Sequence, residues 1–359
     1  MKKIKKILII IQRSNGDVFL SSSLIKELYK YYETPHIDLL VNDDTYSIAK
    51  QIPYVKKIHL FSYQDKKDKK WLQEKNILLK IYKKYDLSIN LTASDRSVFY
   101  ALIAGKKTIS AIEINNKKSW WKKKFLSYYY YFDSSKHILL NNLEALKILN
   151  IKHDYLQQPI SFSMHESSEI KSKLRSYKIE KFIIFHPSAQ YNYKIYPKNL
   201  RNILLNFLNT LEIPILVTGG NSKIDSNIKS EIPTLSNIYN FIGETTLKDY
   251  LILSELSMAY IGMDTLNMHI AASQSKRIFA IFGSTSLAMW SPWSNQLKTS
   301  ISTNKPIQTY GKNTIFQSSL PCEVCGLIGC GNNHGKDEFS YIINPEEIFN
   351  EVSHWYEGS

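Results

Sequence analysis

The chain has 359 residues, of which 43% are hydrophobic and 13% aromatic, and it carries a formal net charge of +14. This composition excludes an intrinsically disordered chain, and the length favours two domains of about 150 to 200 residues. No apolar run reaches the ~18 residues of a membrane-spanning helix, so none is predicted. The excess of lysine favours a polyanionic partner or an anionic surface, although an AT-rich genome gives the same bias.

The first half of the chain alternates between strand and helix patterns. Short apolar segments predict strands at 6–11, 36–41, 55–61, 86–91 and 107–112. Helical periodicity lies between them, at 20–32, 45–51, 67–84 and 95–104. Alternation of this kind favours a parallel sheet that is covered by helices on both faces.

The alternation starts again in the second half. Further strands are predicted at 181–188, 213–220, 237–243, 257–264 and 277–284, and a terminal helix at 345–356. The α/β pattern therefore predicts two Rossmann-like domains facing each other across a cleft, over 1–170 and 171–344, with 345–359 as a C-terminal helix. Ligands of such sheets bind beyond the carboxyl ends of the strands.

The turn after the first predicted strand, "IQRSNGDVFLSSSL" at 11–24, carries an unexpected carboxylate. A turn with a lone glycine usually holds phosphate, yet here Asp17 directly follows Gly16. A carboxylate thus stands where an anion would normally be bound. The alternative is that Asp17 merely caps the helix that follows.

The segment "GMDTLNMH" at 262–269 follows an apolar strand and begins a helix. Asp264 and Thr265 are suited to cap that helix, whose free N–H groups suit a diphosphate. His269 lies one turn further on the same face. The alternative is two ordinary capping residues and a buried core histidine.

Two further loops lie at predicted strand ends. Lys194, in "HPSAQYNYKIYP" at 186–197, is placed to neutralise a leaving phosphate, although a surface lysine is common in so basic a chain. The glycines of "TGG" at 218–220, including Gly219, and of "FGS" at 282–284 allow a ligand to approach the backbone closely.

Taken in order, these motifs resemble glycosyltransferase family 9, the bacterial heptosyltransferases. The resemblance rests on "GD" after the first strand, then "K-x-Y-P", "GG", "IGE", "GMDTLNMHIAA" and "IFAIFG" after the strands of the second half. It covers nearly the whole chain and is most specific at 258–284. Leu266 stands where the family usually has glycine, so the phosphate contacts are expected to differ.

The resemblance implies a GT-B fold, with an N-terminal acceptor domain and a C-terminal nucleotide-sugar domain. It implies inverting transfer of a sugar, usually heptose from ADP-heptose, onto a lipopolysaccharide or lipooligosaccharide core acceptor, without a catalytic metal or other cofactor. Asp17 corresponds to the general base. The residues corresponding to the donor site are Lys194, Gly219, Gly243, Glu244, Asp264, Thr265, Leu266 and His269.

The segment "NNKKSWWKKKFLSYYYYF" at 115–132 interleaves lysines with aromatic residues. Trp120, Trp121, Lys122, Lys123 and Lys124 are candidates for an acceptor or membrane surface, since such a mixture suits a lipid headgroup interface. The same mixture is suited to stack on single-stranded nucleic acid, or to pack against the core with its lysines in solvent. Nucleic acid is not expected as a partner.

All three cysteines lie near one histidine, in the order Cys322, Cys325, Cys330 and His334. This spacing suits a structural zinc ion, and reduced free thiols in a loop are the alternative. The absence of a disulfide framework favours the cytoplasm. The lipid-linked acceptor that the resemblance implies favours peripheral attachment to the inner membrane.

Three other functions remain open. The first is a family 9 transferase that uses another nucleotide sugar, and the second is a sugar-nucleotide epimerase, since such enzymes also have two Rossmann-like domains. The third is a non-catalytic protein that binds anionic surfaces or nucleic acid. The donor sugar, the acceptor linkage and the oligomeric state are not predictable from one sequence.

Overall fold

The chain forms two compact units, residues 1–160 (unit 1) and 161–359 (unit 2). The structure is a computed structural model that describes residues 4–114, 116, 119–162, 167–283, 285–317 and 343–358. Both units have the α/β architecture predicted above.

Unit 1 contains a six-stranded sheet in which every neighbouring pair is parallel. Its strands are β1 (Lys6–Ile11), β2 (His36–Asn42), β3 (Val55–Phe61), β4 (Tyr85–Asn90), β5 (Gly105–Ile112) and β6 (Tyr128–Tyr131). Its helices are α1 (Asn15–Leu20), α2 (Ser22–Tyr31), α3 (Tyr46–Ala49), α4 (Tyr63–Asp68), α5 (Lys70–Ile81), α6 (Asp95–Ala104), α7 (Trp120–Phe125) and α8 (Ile138–Ile148). The strand order β3-β2-β1-β4-β5-β6 is that of a Rossmann fold.

Unit 2 contains a seven-stranded sheet, β12-β13-β11-β10-β7-β8-β9, whose first five strands in the chain have the same order as those of unit 1. Its strands are β7 (Ile183–His186), β8 (Ile215–Val217), β9 (Ile238–Asn240), β10 (Ala259–Met263), β11 (Arg277–Phe282), β12 (Ile307–Tyr310) and β13 (Asn313–Gln317). Its helices are α9 (Ser168–Ser176), α10 (Lys198–Asn209), α11 (Lys223–Glu231), α12 (Leu247–Leu256), α13 (Leu266–Ser273), α14 (Leu287–Trp290) and α15 (Pro345–Glu357). Only β12 pairs antiparallel to its neighbour in this sheet.

The central strands explain why their sequences are almost continuously apolar. Five consecutive residues of β1 and all five of β10 are buried, since helices cover both faces of a parallel sheet. The terminal helix α15 adds to the core of unit 2. Its Ile348 and Val352 are fully buried, and each contributes ~1.5–3 kcal/mol of transfer free energy.

All ten predicted strands are confirmed, with ends that differ by up to three residues. The strands β6, β12 and β13 were not predicted; β6 was missed because its four tyrosines belong to the segment interpreted as an interface. The helix predicted at 67–84 is two helices. The backbone leaves the helical conformation at Lys69, where φ is −138°.

Candidate functional site

Each sheet reverses its strand order at one place, between β1 and β4 in unit 1 and between β7 and β10 in unit 2. The loops that follow two such strands diverge to opposite faces of the sheet and leave a crevice in which α/β proteins bind ligands. Loops after β1, β7 and β10 therefore define two candidate regions, one in each unit.

In unit 1 the candidate base Asp17 lies one turn into α1, with only 3% of its surface exposed. The backbone N–H and the hydroxyl of Ser14 donate to Oδ2 of Asp17, at 3.2 and 2.7 Å. The guanidinium Nε of Arg13 lies 2.7 Å from Oδ1. Asp17 is thus not the N-cap of the alternative interpretation, because Ser14 is the N-cap and Asp17 is the third helical residue, which takes part in a capping box. These contacts fix both oxygens at the carboxyl end of β1.

Four buried polar atoms near this turn make no hydrogen bond within the described part of the chain: Nε2 of Gln12, Oδ1 of Asn15, Oδ1 of Asn42 and Oδ1 of Asp17, whose contact with Arg13 is an ion pair. Gln12 and Asn42 are each only 5% exposed. Their positions are fixed by other contacts, because Asn42 Nδ2 donates to the Arg13 carbonyl (3.3 Å) and Gln12 Oε1 accepts from Arg96 (3.4 Å). An unsatisfied buried polar atom costs about 1–3 kcal/mol, so water or a hydroxyl-bearing ligand is expected there.

In unit 2 the structure brings together two of the predicted donor residues. Lys194, in the loop after β7, places its Nζ 3.0 Å from Oδ2 of Asp264, which follows β10. The Asp264 side chain is 7% exposed and that of Lys194 is 25% exposed. A cation and a carboxylate that are 70 residues apart in sequence thus meet at the switch point of the sheet.

The helix α13 begins beside this pair. Thr265 is its N-cap residue but makes no side-chain capping bond, and Leu266 is its first residue, half-buried. His269 is one turn further and 2% exposed. Burial, and secondarily the charge of Lys194, lowers the pKa of His269 to about 3, so its ring is neutral at pH 7.

A second histidine at this edge was not singled out from the sequence. Nδ1 of His186, at the end of β7, lies 2.9 Å from the Thr218 hydroxyl, and Nε2 lies 2.8 Å from Nδ2 of Asn267. Burial lowers the pKa of His186 to about 4, an effect that the charge of Asp225 partly opposes. The same Asn267 nitrogen lies 3.0 Å from Nδ1, and the tautomer of the neutral ring sets which ring nitrogen donates. The sequence signal that could have identified this histidine is its position in the "HPS" loop.

The predicted glycines of unit 2 are positions of close packing. A Cβ on Gly219 would lie 2.9 Å from Oδ1 of Asp225, and Gly243 has a φ of +74°, which favours glycine. Glu244 lies between two ammonium groups, 3.0 Å from Lys173 Nζ and 3.5 Å from Lys229 Nζ. This carboxylate is thus held by ion pairs beyond the end of β9.

The lysine-aromatic segment is only partly a surface, and the prediction for Lys122 was wrong. Lys122 is fully buried, and its Nζ donates to the Ala93 carbonyl (2.8 Å) and pairs with Asp95 (2.8 Å). Trp121 is half-buried against a small apolar cluster of unit 1. A short helix has two sides, so α7 exposes Trp120 but directs Lys122 inward. Lys123 and Lys124 are exposed.

The predicted zinc ligands Cys322, Cys325, Cys330 and His334 lie outside the described residues. Within the described ranges, no group of three or more His, Cys, Asp or Glu side chains is placed to hold a metal ion. None of the helices described is both long and apolar enough to cross a bilayer.

Comparison with known proteins shows the family of the chain. The profile of glycosyltransferase family 9 (heptosyltransferase) matches residues 79–319. Lipopolysaccharide heptosyltransferase 3 of Escherichia coli is 24% identical over 293 residues, which cover 79% of this chain and 85% of that protein.

Two solved structures show the same fold. A family 9 glycosyltransferase from Veillonella parvula superposes with a TM-score of 0.75 at 15% identity, covering 99% of this chain and 98% of that one. An E. coli heptosyltransferase solved with ADP gives 0.71 at 12% identity, with 97% and 99% covered. The predicted GT-B class, with two Rossmann-like domains, is confirmed.

Proposed function

The chain belongs to glycosyltransferase family 9, the heptosyltransferase family, and on that premise we propose that it moves heptose from ADP-heptose onto a lipopolysaccharide or lipooligosaccharide core acceptor with inversion. The observation that supports the proposal is the Lys194–Asp264 pair at the start of α13, which puts an ammonium group beside a helix N-terminus, as the binding of a diphosphate requires. The curated relative acts on lipopolysaccharide, and one structural relative holds ADP.

Unit 2 supplies the donor site in this proposal. Lys194 neutralises the negative charge that grows on the diphosphate as the sugar leaves, and the N-terminal N–H groups of α13 add a partial positive charge. Asp264 orients Lys194, and the neutral ring of His269 is available for hydrogen bonding rather than for charge. Leu266, Gly219, Gly243 and Glu244 shape the surroundings of the nucleotide. We propose that no catalytic metal or other cofactor is required, because Lys194 provides the cation.

Unit 1 supplies the acceptor site and the base. Asp17 takes the proton of the acceptor hydroxyl while the oxygen of that hydroxyl attacks the anomeric carbon. The bond from this carbon to the diphosphate oxygen breaks at the same time, and ADP leaves. Two features support this role: the carboxylate is held at the tip of β1, and unsatisfied polar atoms of Gln12, Asn15 and Asn42 lie near it. Such atoms suit a ligand rich in hydroxyl groups.

The acceptor proposed is lipid-linked, so we place the enzyme in the cytoplasm, peripherally on the inner membrane. Exposed Trp120, Lys123 and Lys124 are proposed to contact the acceptor or its lipid. The predicted ranges 1–170 and 171–344 are retained as acceptor and donor domains, with 345–359 as the terminal helix.

The first test is a thermal-shift screen of ADP-, GDP- and UDP-sugars followed by product analysis on a lipid A–Kdo acceptor. We expect selective stabilisation by ADP-heptose and an acceptor that gains one heptose by mass spectrometry. If only another nucleotide sugar stabilises the protein, that sugar replaces ADP-heptose as the proposed donor. Isomerised donor without acceptor would make the protein an epimerase instead.

The second test separates the base role of Asp17 from its capping role. Asp17→Asn should lower kcat about 10²–10⁴-fold with little change in donor Kd. Ser14→Ala is the matched control, because it removes the capping hydroxyl, costs about 1 kcal/mol of stability and keeps the carboxylate. Equal turnover of the two variants would show that Asp17 is not the base.

A further inference from the structure

We propose that the outward face of α5 in unit 1 docks on an anionic lipid bilayer. This face consists of Trp71, Leu72, Leu79 and Tyr82, whose exposed fractions are 82%, 56%, 64% and 56%. The inference rests on the proposed attachment to the inner membrane and names the surface that makes it. Its test contains neither donor nor glycolipid, so its failure is distinguishable from failure of the proposed transfer reaction.

Helical geometry places these four side chains on one side of α5. Trp71, Leu72 and Leu79 lie within about 100° of the helix, and Tyr82 directly follows its last residue. The exposed Lys75 lies on the same side, one turn after Trp71 and one turn before Leu79. The opposite side is already used, because Ile77 and Ile81 are buried in the core of unit 1. The helix therefore has apolar residues on two sides, and among the residues that the structure describes only the inward side is packed against the core.

The charges around this face favour an anionic partner. Residues 63–84 contain eight lysines and three acids. Lys70, Lys75, Lys80 and Lys83 are exposed on α5 and just after it. The ammonium of Lys70 lies 5.6 Å from the Trp71 ring centre, and that of Lys83 lies 5.3 Å from the Tyr82 ring centre.

The acids of the segment do not offset these lysines on the outward face of α5. Glu74, the acid within α5, turns inward and accepts from the Tyr100 hydroxyl. Asp65 and Asp68 belong to the preceding helix α4, where Asp68 accepts from Gln64.

The exposed apolar surface continues beyond α5 onto the neighbouring helices. The Tyr100–Glu74 hydrogen bond joins α6 to α5, and Phe99 on α6 is 47% exposed. Trp121 packs α7 against the Val98 side of α6, while the next-door Trp120 is 64% exposed. Three adjoining helices thus present aromatic or leucine side chains to solvent.

This combination suits the headgroup region of a bilayer. Tryptophan and tyrosine rings settle at the boundary between headgroups and acyl chains, leucines enter the acyl region, and lysines bind lipid phosphates. Contiguous apolar patches with a polar rim mark sites that bind other proteins or membranes. A purely polyanionic partner such as nucleic acid would use the lysines but leave Leu72 and Leu79 in water.

The test is co-sedimentation of the full chain with phosphatidylcholine vesicles that contain 0% or ~40% phosphatidylglycerol. We expect binding to the anionic vesicles that weakens with added salt, and at least a tenfold lower partition coefficient for W71E/L79E. The matched control is I203E/L297E, which places the same charges at exposed apolar positions of unit 2 and should bind as wild type does.

Circular dichroism and the thermal midpoint must be alike for both variants, and where W71E/L79E is unstable, W71S/L79S replaces it with the same expectation. The proposal is overturned if W71E/L79E binds as wild type does, if both variants lose binding equally, or if wild type prefers neutral vesicles. It is also overturned if light scattering shows a dimer that only W71E/L79E dissociates, because a second copy would then cover this face.

Discussion

Replacing Lys194 separates its part in stability from its part in donor binding. Its Nζ lies 3.0 Å from Oδ2 of Asp264, so the gross attraction is about 5–6 kcal/mol at an effective dielectric constant of about 20. Lys194→Met leaves the carboxylate, 7% exposed, without its cation. Because the lysine is partly exposed, we expect a loss of about 2–3 kcal/mol rather than the 3–5 of a fully buried pair.

The double variant K194M/D264N makes this prediction specific. Removing both charges should restore most of the lost stability, giving a coupling free energy of about 1–3 kcal/mol in urea denaturation. Affinity for ADP should stay low in both K194M and the double variant, because neither has a cation for the diphosphate. Lys194→Arg is the control that keeps the charge.

Two results would refute this reasoning. If K194M binds ADP as wild type does in calorimetry, the lysine is not at the phosphates. If the double variant is as unstable as the sum of the single variants, the pair does not couple, and the contact between Lys194 and Asp264 has no energetic weight.

The other predictions concern packing and pH. Gly262→Ala would place a Cβ 2.4 Å from the His186 carbonyl oxygen and should cost about 3 kcal/mol or more in thermal unfolding, whereas Gly220→Ala meets only an Asp225 side chain at 3.1 Å and should cost less. His186 and His269 have pKa values of about 4 and about 3 because burial disfavours the charged ring, so the unfolded chain takes up protons first. The free energy of unfolding should therefore fall as pH decreases from about 6.5 to about 4, and a flat profile in that window would contradict it. Burial raises the pKa of Asp38, but hydrogen bonds from a histidine and a tyrosine outweigh it and leave the pKa below its usual 3.8. Asp38→Asn should consequently destabilise the protein above pH 4, with the effect lost as pH falls further.

Most of the fold could be predicted from the sequence, because the spacing of apolar residues along the chain follows which side chains are buried. Strands such as β1 and β10 are apolar throughout, as expected of parallel strands covered on both faces. The edge strand β6 was missed because three of its four tyrosines are exposed, so its sequence lacks the continuous apolar run of a central strand. Pattern alone also gave one helix at 67–84, because the break at Lys69 is a backbone feature with no proline or glycine to mark it.

The candidate site could be predicted from the sequence where a single residue supplies the chemistry. It could not be predicted where two residues far apart in the sequence have to meet. The sequence marked Lys194 and Asp264 separately, but only the strand order brings them to 3.0 Å. Lys122 shows the opposite case. A lysine in a run of lysines predicts a solvated side chain, and its burial depends on the carbonyl of Ala93 and the carboxylate of Asp95, some 30 residues earlier.

The two units use the same topology for opposite charges. The turn after β1 and the loop after β7 occupy corresponding places, because the first five strands of each unit have the same order and that order reverses at β1 and at β7. One carries the carboxylate of Asp17, held by Ser14 and Arg13, and the other leads to the ammonium of Lys194, held by Asp264. The strand order selects the location of a site, and the side chains in these loops select its chemistry. The proposed reaction uses both charges. A carboxylate can accept the proton of the acceptor hydroxyl, and an ammonium group can neutralise the negative charge on the leaving diphosphate.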